Sequence, residues 1–330
     1  MRYLHGIMKK KKKKKDITKG VNASSAHVIH VTHNDFDAVG SDAIHRLAYG
    51  KDNVYTIWSS VGSFPVFFEK ISELPANGRI LSISDLGARH GMIPSIKHAK
   101  DNGWVINWRD HHRWTHDEAS DVRNLVDSLT ISTNQCACGI CAQELLPNNP
   151  LALEIAHVVC DYDLWKHSDP RSDQLGIVLQ RHKNREHVRD LIMMGVFEDE
   201  YIRQEFDSIT DEMKQAMKKS EKEMQLYDSD PKIIITRMHG FPSETAAYLR
   251  KQFDSDIEIL VSDNGKFSIR SKHPVSHLIA REFRGGGHPE ASGGRFQFTW
   301  IDKLKLKLCK KNRHYDSIHQ KSREIRNKPS

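Results

Sequence analysis

The chain has 330 residues, 38% of them hydrophobic and 28% charged, enough for about two globular domains. It holds no apolar run of the roughly 18 residues that a membrane span needs, and its first twenty residues lack the apolar centre of a secretory signal. The net charge of +7 resides in the ends: residues 1–15 carry eight basic side chains, residues 303–330 carry ten against Asp316 and Glu324, and 16–302 hold 32 basic and 41 acidic residues.

Residues 1–26 are expected to form a basic disordered leader, in which the run from Lys9 to Lys15 is a solvated tail rather than a nucleic-acid ligand. HVIHVT (27–32) reads as a strand, and a helical pattern follows from Val39 to about Tyr49. NVYTIW (53–58), RILSIS (79–84) and WVINW (104–108) are further short apolar runs, spaced by helix-like segments such as FPVFFEKISEL. This alternation predicts an α/β domain with a mostly parallel sheet, whose ligand crevice lies outside the carboxyl ends of the strands. From about Gln143 to Tyr227 the pattern is helical, and 200–226 predicts one long connecting helix, broken by Asp228-Ser229-Asp230-Pro231. A smaller α/β unit begins at KIIIT (232–236) and continues through IEILV and KFSIRS. The expected organisation is a leader (1–26), a metal-binding catalytic domain (27–205), a linker helix (206–230), a substrate-binding domain (231–302) and a basic tail (303–330), with the active cleft between the two domains.

Metal-grade side chains follow several of the apolar runs: His33, Asp35 and Asp37, then Asp85, then Asp110-His111-His112, then Asp161-Tyr162-Asp163. Carboxylates gathered without partners repel one another and take up protons, and a divalent cation removes that penalty. Four or five aspartates with two histidines and no thiolate suit Mn2+, with Mg2+ or Co2+ as alternatives. The ligands exceed the needs of one ion. Two ions about 3.5–4 Å apart, sharing a carboxylate, would activate a water and stabilise the departing oxygen of a phosphoester. Asp85 is the candidate bridge, with His33 and Asp35 on one ion and Asp37, His111 and Asp161 on the other. Asp110 is expected to orient an imidazole, and His112 to approach a phosphate. Asp161 is preferred to Asp163 because it ends the apolar run AHVVC, which leaves Asp163 to cap the LWKH turn. For Asp35 a plain helix N-cap is an equal reading.

The second motif is Arg284-Gly285-Gly286-Gly287-His288, continued by PEASGG. Successive glycines let backbone N–H groups close on an anion; His288 would donate to a phosphate or base edge, and Arg270 and Arg284 would add phosphate contacts. Five cysteines (136, 138, 141, 160 and 309) are an odd number and do not look like a disulfide framework, which favours a reducing, cytoplasmic compartment. Cys136, Cys138 and Cys141 lack the fourth ligand of a structural zinc site and read as small residues packing an early helical turn.

HNDFD (33–37), SISD (82–85), RDHH (109–112), VCDYD (159–163) and GGGHPEASGG (285–294) together resemble the motif set of the DHH superfamily of phosphoesterases that carry the DHH-associated C-terminal domain, over about residues 27–300. The resemblance implies a Mn2+-dependent phosphohydrolase with its metals in the N-terminal domain and a C-terminal domain that grips nucleotides or short RNA or DNA oligonucleotides. One residue separates His33 from Asp35 where nano-RNase and pAp-phosphatase members usually have three, a spacing more like the RecJ type and a second nano-RNase branch. The expected activity is nano-RNase-like cleavage of short oligonucleotides, with pAp removal or cyclic-dinucleotide cleavage as alternatives. A catalytically dead nucleic-acid binder would be expected to have lost ligands, and every candidate ligand is present here. No membrane partner is expected, and the oligomeric state is left open, a homodimer included.

Overall fold

The computed structural model describes residues 16–308 and 312–326; the run from Lys9 to Lys15 and Cys309 lie outside them. The chain divides into two units between Phe206 and Asp207, within a long helix.

In the first unit the elements run α1 (Ile17–Ala23), β1 (Val28–Thr32), α2 (Phe36–Tyr49), β2 (Val54–Trp58), α3 (Phe64–Ser72), β3 (Ile80–Ser84), α4 (Ile93–Asp101), β4 (Val105–Asp110), α5 (His116–Arg123), β5 (Ser128–Ile131), α6 (Ala137–Leu145), α7 (Pro150–Asp163), α8 (Pro170–Val178), α9 (Arg185–Ile192) and the start of α10 (Glu200–Glu223). Among the described residues the strands form one parallel sheet in the order β2-β1-β3-β4-β5. Thr32 is level with Ser84, and Ser84 with Arg109. The next residues along the chain, His33, Asp85 and Asp110, therefore lie side by side at the carboxyl end of the three central strands.

Side chains of a strand alternate between faces, and here the two faces differ in chemistry. Ile29, Val31, Leu81, Ile83, Ile106 and Trp108 pack with Phe64, Phe68, Ile96 and Trp104 in one apolar core. The opposite face carries His30, Thr32, Ser82, Ser84 and Arg109, all buried. These polar groups bond to one another and to neighbouring helices, as buried polar groups must. His30 Nε2 lies 2.8 Å from Ser84 Oγ, His45 Nε2 on α2 lies 2.8 Å from Ser82 Oγ, and Arg109 Nε donates to Glu144 on α6 at 2.7 Å. A second apolar core joins the helices on that side through Phe36, Val39, Ile44, Ile155, Val158, Leu175 and Val188. Gly40 permits the approach of α2 to α6 and α7: a Cβ there would stand 2.7 Å from Val159 Cγ2 and 2.8 Å from Cys138 Sγ.

The second unit continues from α10 through β6 (Gln225–Tyr227), β7 (Ile233–Arg237), α11 (Pro242–Phe253), β8 (Ile257–Val261), β9 (Lys266–Ser271), α12 (Ser276–Glu282), β10 (Gly286–Gly287), β11 (Ala291–Arg295), α13 (Trp300–Leu308) and α14 (Arg313–Arg326). Its sheet, in the order β10-β11-β9-β8-β7-β6, is mixed: β7 and β8 run parallel and the other neighbours antiparallel. Ile233, Ile235, Ile257, Ile259, Ile269, Ile279, Tyr315 and Ile318 form its core.

Two expectations need correction, for the leader and for the cysteines. The leader is not disordered throughout, because Asp16 caps α1 and Ile17 and Val21, one turn apart, bury their side chains. Within the stretch named as the basic tail, α14 buries Tyr315 and Ile318 beneath its charged face. Cys136 and Cys160 form a disulfide, whereas Cys138 and Cys141 are free and buried. The partners sit 24 residues apart on different elements, a pairing that spacing in a bunched cysteine run does not signal. No helix among the described residues is long and apolar enough to cross a membrane.

Candidate metal centre

The strand ends and the end of α7 bring seven of the anticipated side chains together. Ligand atoms of His33, Asp35 and Asp85 lie within 4.8 Å of one another, as do those of Asp85, His111 and His112, and those of Asp37, His111 and Asp163. Asp85 belongs to two of these groups and His111 to two. At this hub Asp85 Oδ1 lies 3.4 Å from His111 Nε2, and Asp85 Oδ2 lies 3.7 Å from His33 Nδ1. His111 also lies 3.7 Å from Asp37 through Nε2 and 3.6 Å from Asp163 through Nδ1.

Local structure accounts for each position. Asp35 caps α2, accepting from Ala38 N at 3.2 Å, while its other oxygen lies 2.6 Å from His33 Nδ1. Asp37, in the first turn of α2, accepts from Ala137 N at 2.8 Å and Cys138 N at 2.6 Å at the start of α6. Asp85 has φ of 55°, in the left-handed region that side-chain-bearing residues seldom occupy. Such outliers cluster at functional sites. Asp110 accepts from His111 N at 2.9 Å and Trp114 Nε1 at 2.6 Å, and its Oδ1 lies 2.7 Å from His112 Nδ1. Its carboxylate thus fixes the ring of His112.

The electrostatics are those of a crowded anionic site. Burial raises Asp85 well above the ordinary carboxylate value, and the charges of Asp35, Asp37, Asp163 and Asp110 push it further. Burial and then Asp35 raise Asp37 to about 7, against the two backbone N–H groups that favour its charge. Burial, followed by Asp37 and Asp35, also raises Asp163 well above the ordinary value. Burial opposes the charge on His33, yet its pairing with Asp35 raises it on balance, and Asp110 does the same for His112. Asp85 Oδ2 and Asp163 Oδ2 are buried and accept no hydrogen bond among the described residues. Buried carboxylates with open lone pairs, interleaved with imidazoles, fit a divalent cation that accepts oxygen and nitrogen donors.

Asp161 is not in this cluster. It accepts from Ser168 N, Asp169 N at 3.1 Å and Ser172 Oγ at 2.5 Å, and so ties the end of α7 to the start of α8. Burial would raise its pKa, but Ser168 and Ser172 hold the carboxyl well below the usual range. The preference for Asp161 over Asp163 is therefore reversed. AHVVC lies on α7, and on a helix of about 100° per residue side chains two positions apart point to nearly opposite sides, so ending an apolar run does not decide which aspartate faces the cluster.

Sequence reasoning also overlooked Asn34, Trp58 and Arg185, which line the His33–Asp35 side. Asn34 Nδ2 donates to Ser59 O at 3.0 Å, and Arg185 Nη2 donates to Asn34 Oδ1 at 2.9 Å. Arg185 lies in a charged stretch whose pattern marks a helix surface, so nothing in its spacing signals the site.

No family model and no curated protein matches the chain, but solved structures do. A DHH domain from a member of the s1p family of ribosomal proteins is 12% identical, with a TM-score of 0.56 over 91% of this chain and 87% of that one. The pGpG-specific phosphodiesterase PggH from Vibrio cholerae is 10% identical, with a TM-score of 0.54 over 89% of this chain and 98% of that one. RecJ from Thermus thermophilus, in complex with Mn2+, is 15% identical, with a TM-score of 0.54 over 89% of this chain and 52% of that one. This chain has the DHH fold.

In the second unit of this DHH fold, the glycine motif makes a narrow antiparallel ribbon in which Gly286 faces Gly293 and Gly287 faces Ser292. A Cβ on Gly285 would stand 2.0 Å from Gly293 O, and Gly287 has φ of 138°. Close backbone approach thus requires these glycines whatever the ribbon binds. Arg284 and His288 are exposed. Arg270, half-buried on β9, donates to Ser243 Oγ at 2.7 Å and to Ile269 O at 2.9 Å.

Proposed function

We propose that this chain is a metal-dependent phosphodiesterase acting on short oligonucleotides, RNA dimers to pentamers in particular. One observation carries the reading: Asp85, buried, strained in backbone and open at Oδ2, stands where three strand ends and α7 deliver carboxylates and imidazoles. His33, Asp35 and Asp85 would hold one cation, and Asp37, His111, Asp163 and Asp85 the other. Bound there, two divalent cations supply Lewis-acid stabilisation of phosphoryl oxygens and an activated water at neutral pH. Mn2+ suits the mixed oxygen and nitrogen donors, with Mg2+ as the alternative.

The chain's own groups do the positioning. Asp110 favours the charged form of His112 and holds its ring beside Asp85, where it would donate to a phosphate oxygen. The apolar core beneath β1, β3 and β4 leaves the strand ends little freedom to relax away from one another. Arg270, Arg284, His288 and the backbone of Gly285, Gly286 and Gly287 are assigned to substrate binding. Neighbours of the same fold support the phosphodiesterase chemistry: one is a pGpG-specific phosphodiesterase and another is RecJ in complex with Mn2+.

The test is hydrolysis of RNA and DNA dimers to pentamers, pAp and cyclic di-AMP with Mn2+ or with EDTA. Short RNA should be converted to mononucleotides only with metal. Asp85→Asn, which keeps a residue type tolerant of a left-handed backbone, should lose more than about 100-fold in turnover, beyond the usual cost of removing a group that merely orients a ligand. Wild-type turnover in Asp85→Asn would overturn the metal assignment, and exclusive turnover of pAp or of the cyclic dinucleotide would move the substrate.

A further inference from the structure

The rim of the metal centre carries a cation that the reaction as described does not use. Arg185 opens α9, and its guanidinium lies over the Trp58 ring, 5.2 Å from the centroid. Trp58 ends β2, level with Thr32 on β1, one residue before His33. Nη2 of Arg185 donates to Asn34 Oδ1 at 2.9 Å, and Asn34 is itself held by Ser59 O. Asn34 stands between His33 and Asp35, two of the assigned ligands. The buried Nε–H of Arg185 meets no acceptor among the described residues.

An arginine serving only to fasten α9 would be expected to direct its donors to backbone carbonyls or a carboxylate. Asp35 is close enough to act on Arg185 through its charge, yet no direct bond joins them. Stacking on an indole and one amide contact instead immobilise the guanidinium while a buried donor stays open. Such a planar fork matches a phosphate oxygen, and its positive charge offsets the repulsion that nearby carboxylates exert on an incoming anion.

We propose that Arg185, seated on Trp58 and held by Asn34, receives a non-bridging phosphoryl oxygen of the substrate on the His33–Asp35 side of the centre. The assignment rests on phosphodiester chemistry at the neighbouring carboxylates, and it makes Arg185 a determinant of affinity for phosphate-bearing anions.

The experiment compares the full-length wild type with Arg185→Gln, Arg185→Lys and Asn34→Ala, all loaded with Mn2+. Inorganic phosphate binding is measured by calorimetry, and KM and kcat are measured on an RNA dinucleotide. Arg185→Gln should weaken phosphate binding and raise KM by about 10- to 100-fold, as expected for loss of a charged hydrogen bond. Arg185→Lys should recover part of both, and Asn34→Ala should fall between. Phosphate affinity and KM at wild-type values in Arg185→Gln would overturn the proposal, as would a lowered melting temperature with unchanged phosphate binding. Failure of the phosphodiesterase reading is separately visible as a wild type that binds phosphate in an Arg185-dependent way but cleaves no dinucleotide.

Discussion

The fourth motif shows how a single residue's role depends on the element that carries it. Asp161 and Asp163 are chemically identical and two positions apart, yet α7 turns them to nearly opposite sides. One meets four N–H or O–H donors and the other faces Asp37 and His111. Asp163→Asn should therefore abolish binding of one cation and reduce turnover by more than about 100-fold with little change in melting temperature; metal stoichiometry by calorimetry checks it. Asp161→Asn should do the reverse. It removes charge from a carboxylate that several donors stabilise, at a cost of about 1–3 kcal/mol, and should leave metal stoichiometry intact. If Asp161→Asn lost a metal and Asp163→Asn did not, the orientation of α7 described here would be wrong.

At the scale of elements, the strands were legible because their apolar residues are β-branched or aromatic and come in short runs at α/β spacing. β1, β2, β3 and β4 start within about a residue of the expected runs. What those runs concealed is their second face: His30, Ser82, Ser84 and Arg109 look like interruptions of apolar strands, but they form a buried polar layer beneath α2 and α6. β5 was missed because Ser128–Ile131 holds only two apolar residues, whereas the helical turn read from Cys136, Cys138 and Cys141 is the start of α6. His33, Asp35, Asp37, Asp85 and His111 could be anticipated from their places after strands, whereas Asn34 and Arg185 depend on a fold-level approach of α9 to the β1 end. The helices on that side also depend on a glycine. In Gly40→Ala the gain in helix propensity, about 1 kcal/mol, is outweighed by overpacking of about 1–3 kcal/mol, because the new Cβ meets the short branch of Val159, which cannot swing away. A lower melting temperature should follow, together with weaker metal binding, since displacing α6 moves the N–H groups that hold Asp37. A Gly40→Ala protein at least as stable as the wild type would show that the helices yield more easily than their contacts imply.

For the whole molecule, the acidic centre makes stability depend on metal and pH together. Asp37, Asp85 and Asp163 have folded-state pKa values above the unfolded value of about 4. Between that value and the folded one, the unfolded chain has released protons that the folded chain still holds. Stability of the metal-free protein therefore falls as pH rises, through about 7 for Asp37, with Asp85 and Asp163 acting in the same sense. Glu205 and Asp302 act in the opposite sense. Burial works against their charge, but Lys183 and Arg181 hold Glu205, and Thr299 holds Asp302, at about 2. Their contribution is present above the unfolded value and is lost as pH falls from about 4 toward 2. The contribution of these carboxylates to the metal-free protein should accordingly be largest near pH 4–5, while burial of His30 and His45, which lowers their pKa values, favours the fold at higher pH. A cation that binds only the folded, ionised cluster stabilises by mass action and must displace protons to do so, so its effect grows with pH. The melting temperature in Mn2+ minus that in EDTA should be small at pH 5 and widen steadily to pH 8. Asp85→Asn should flatten that dependence, because it removes the carboxylate shared by both cation positions. A difference independent of pH in the wild type would mean that the carboxylates are already ionised without metal, and that the crowding at Asp85 does not control the site.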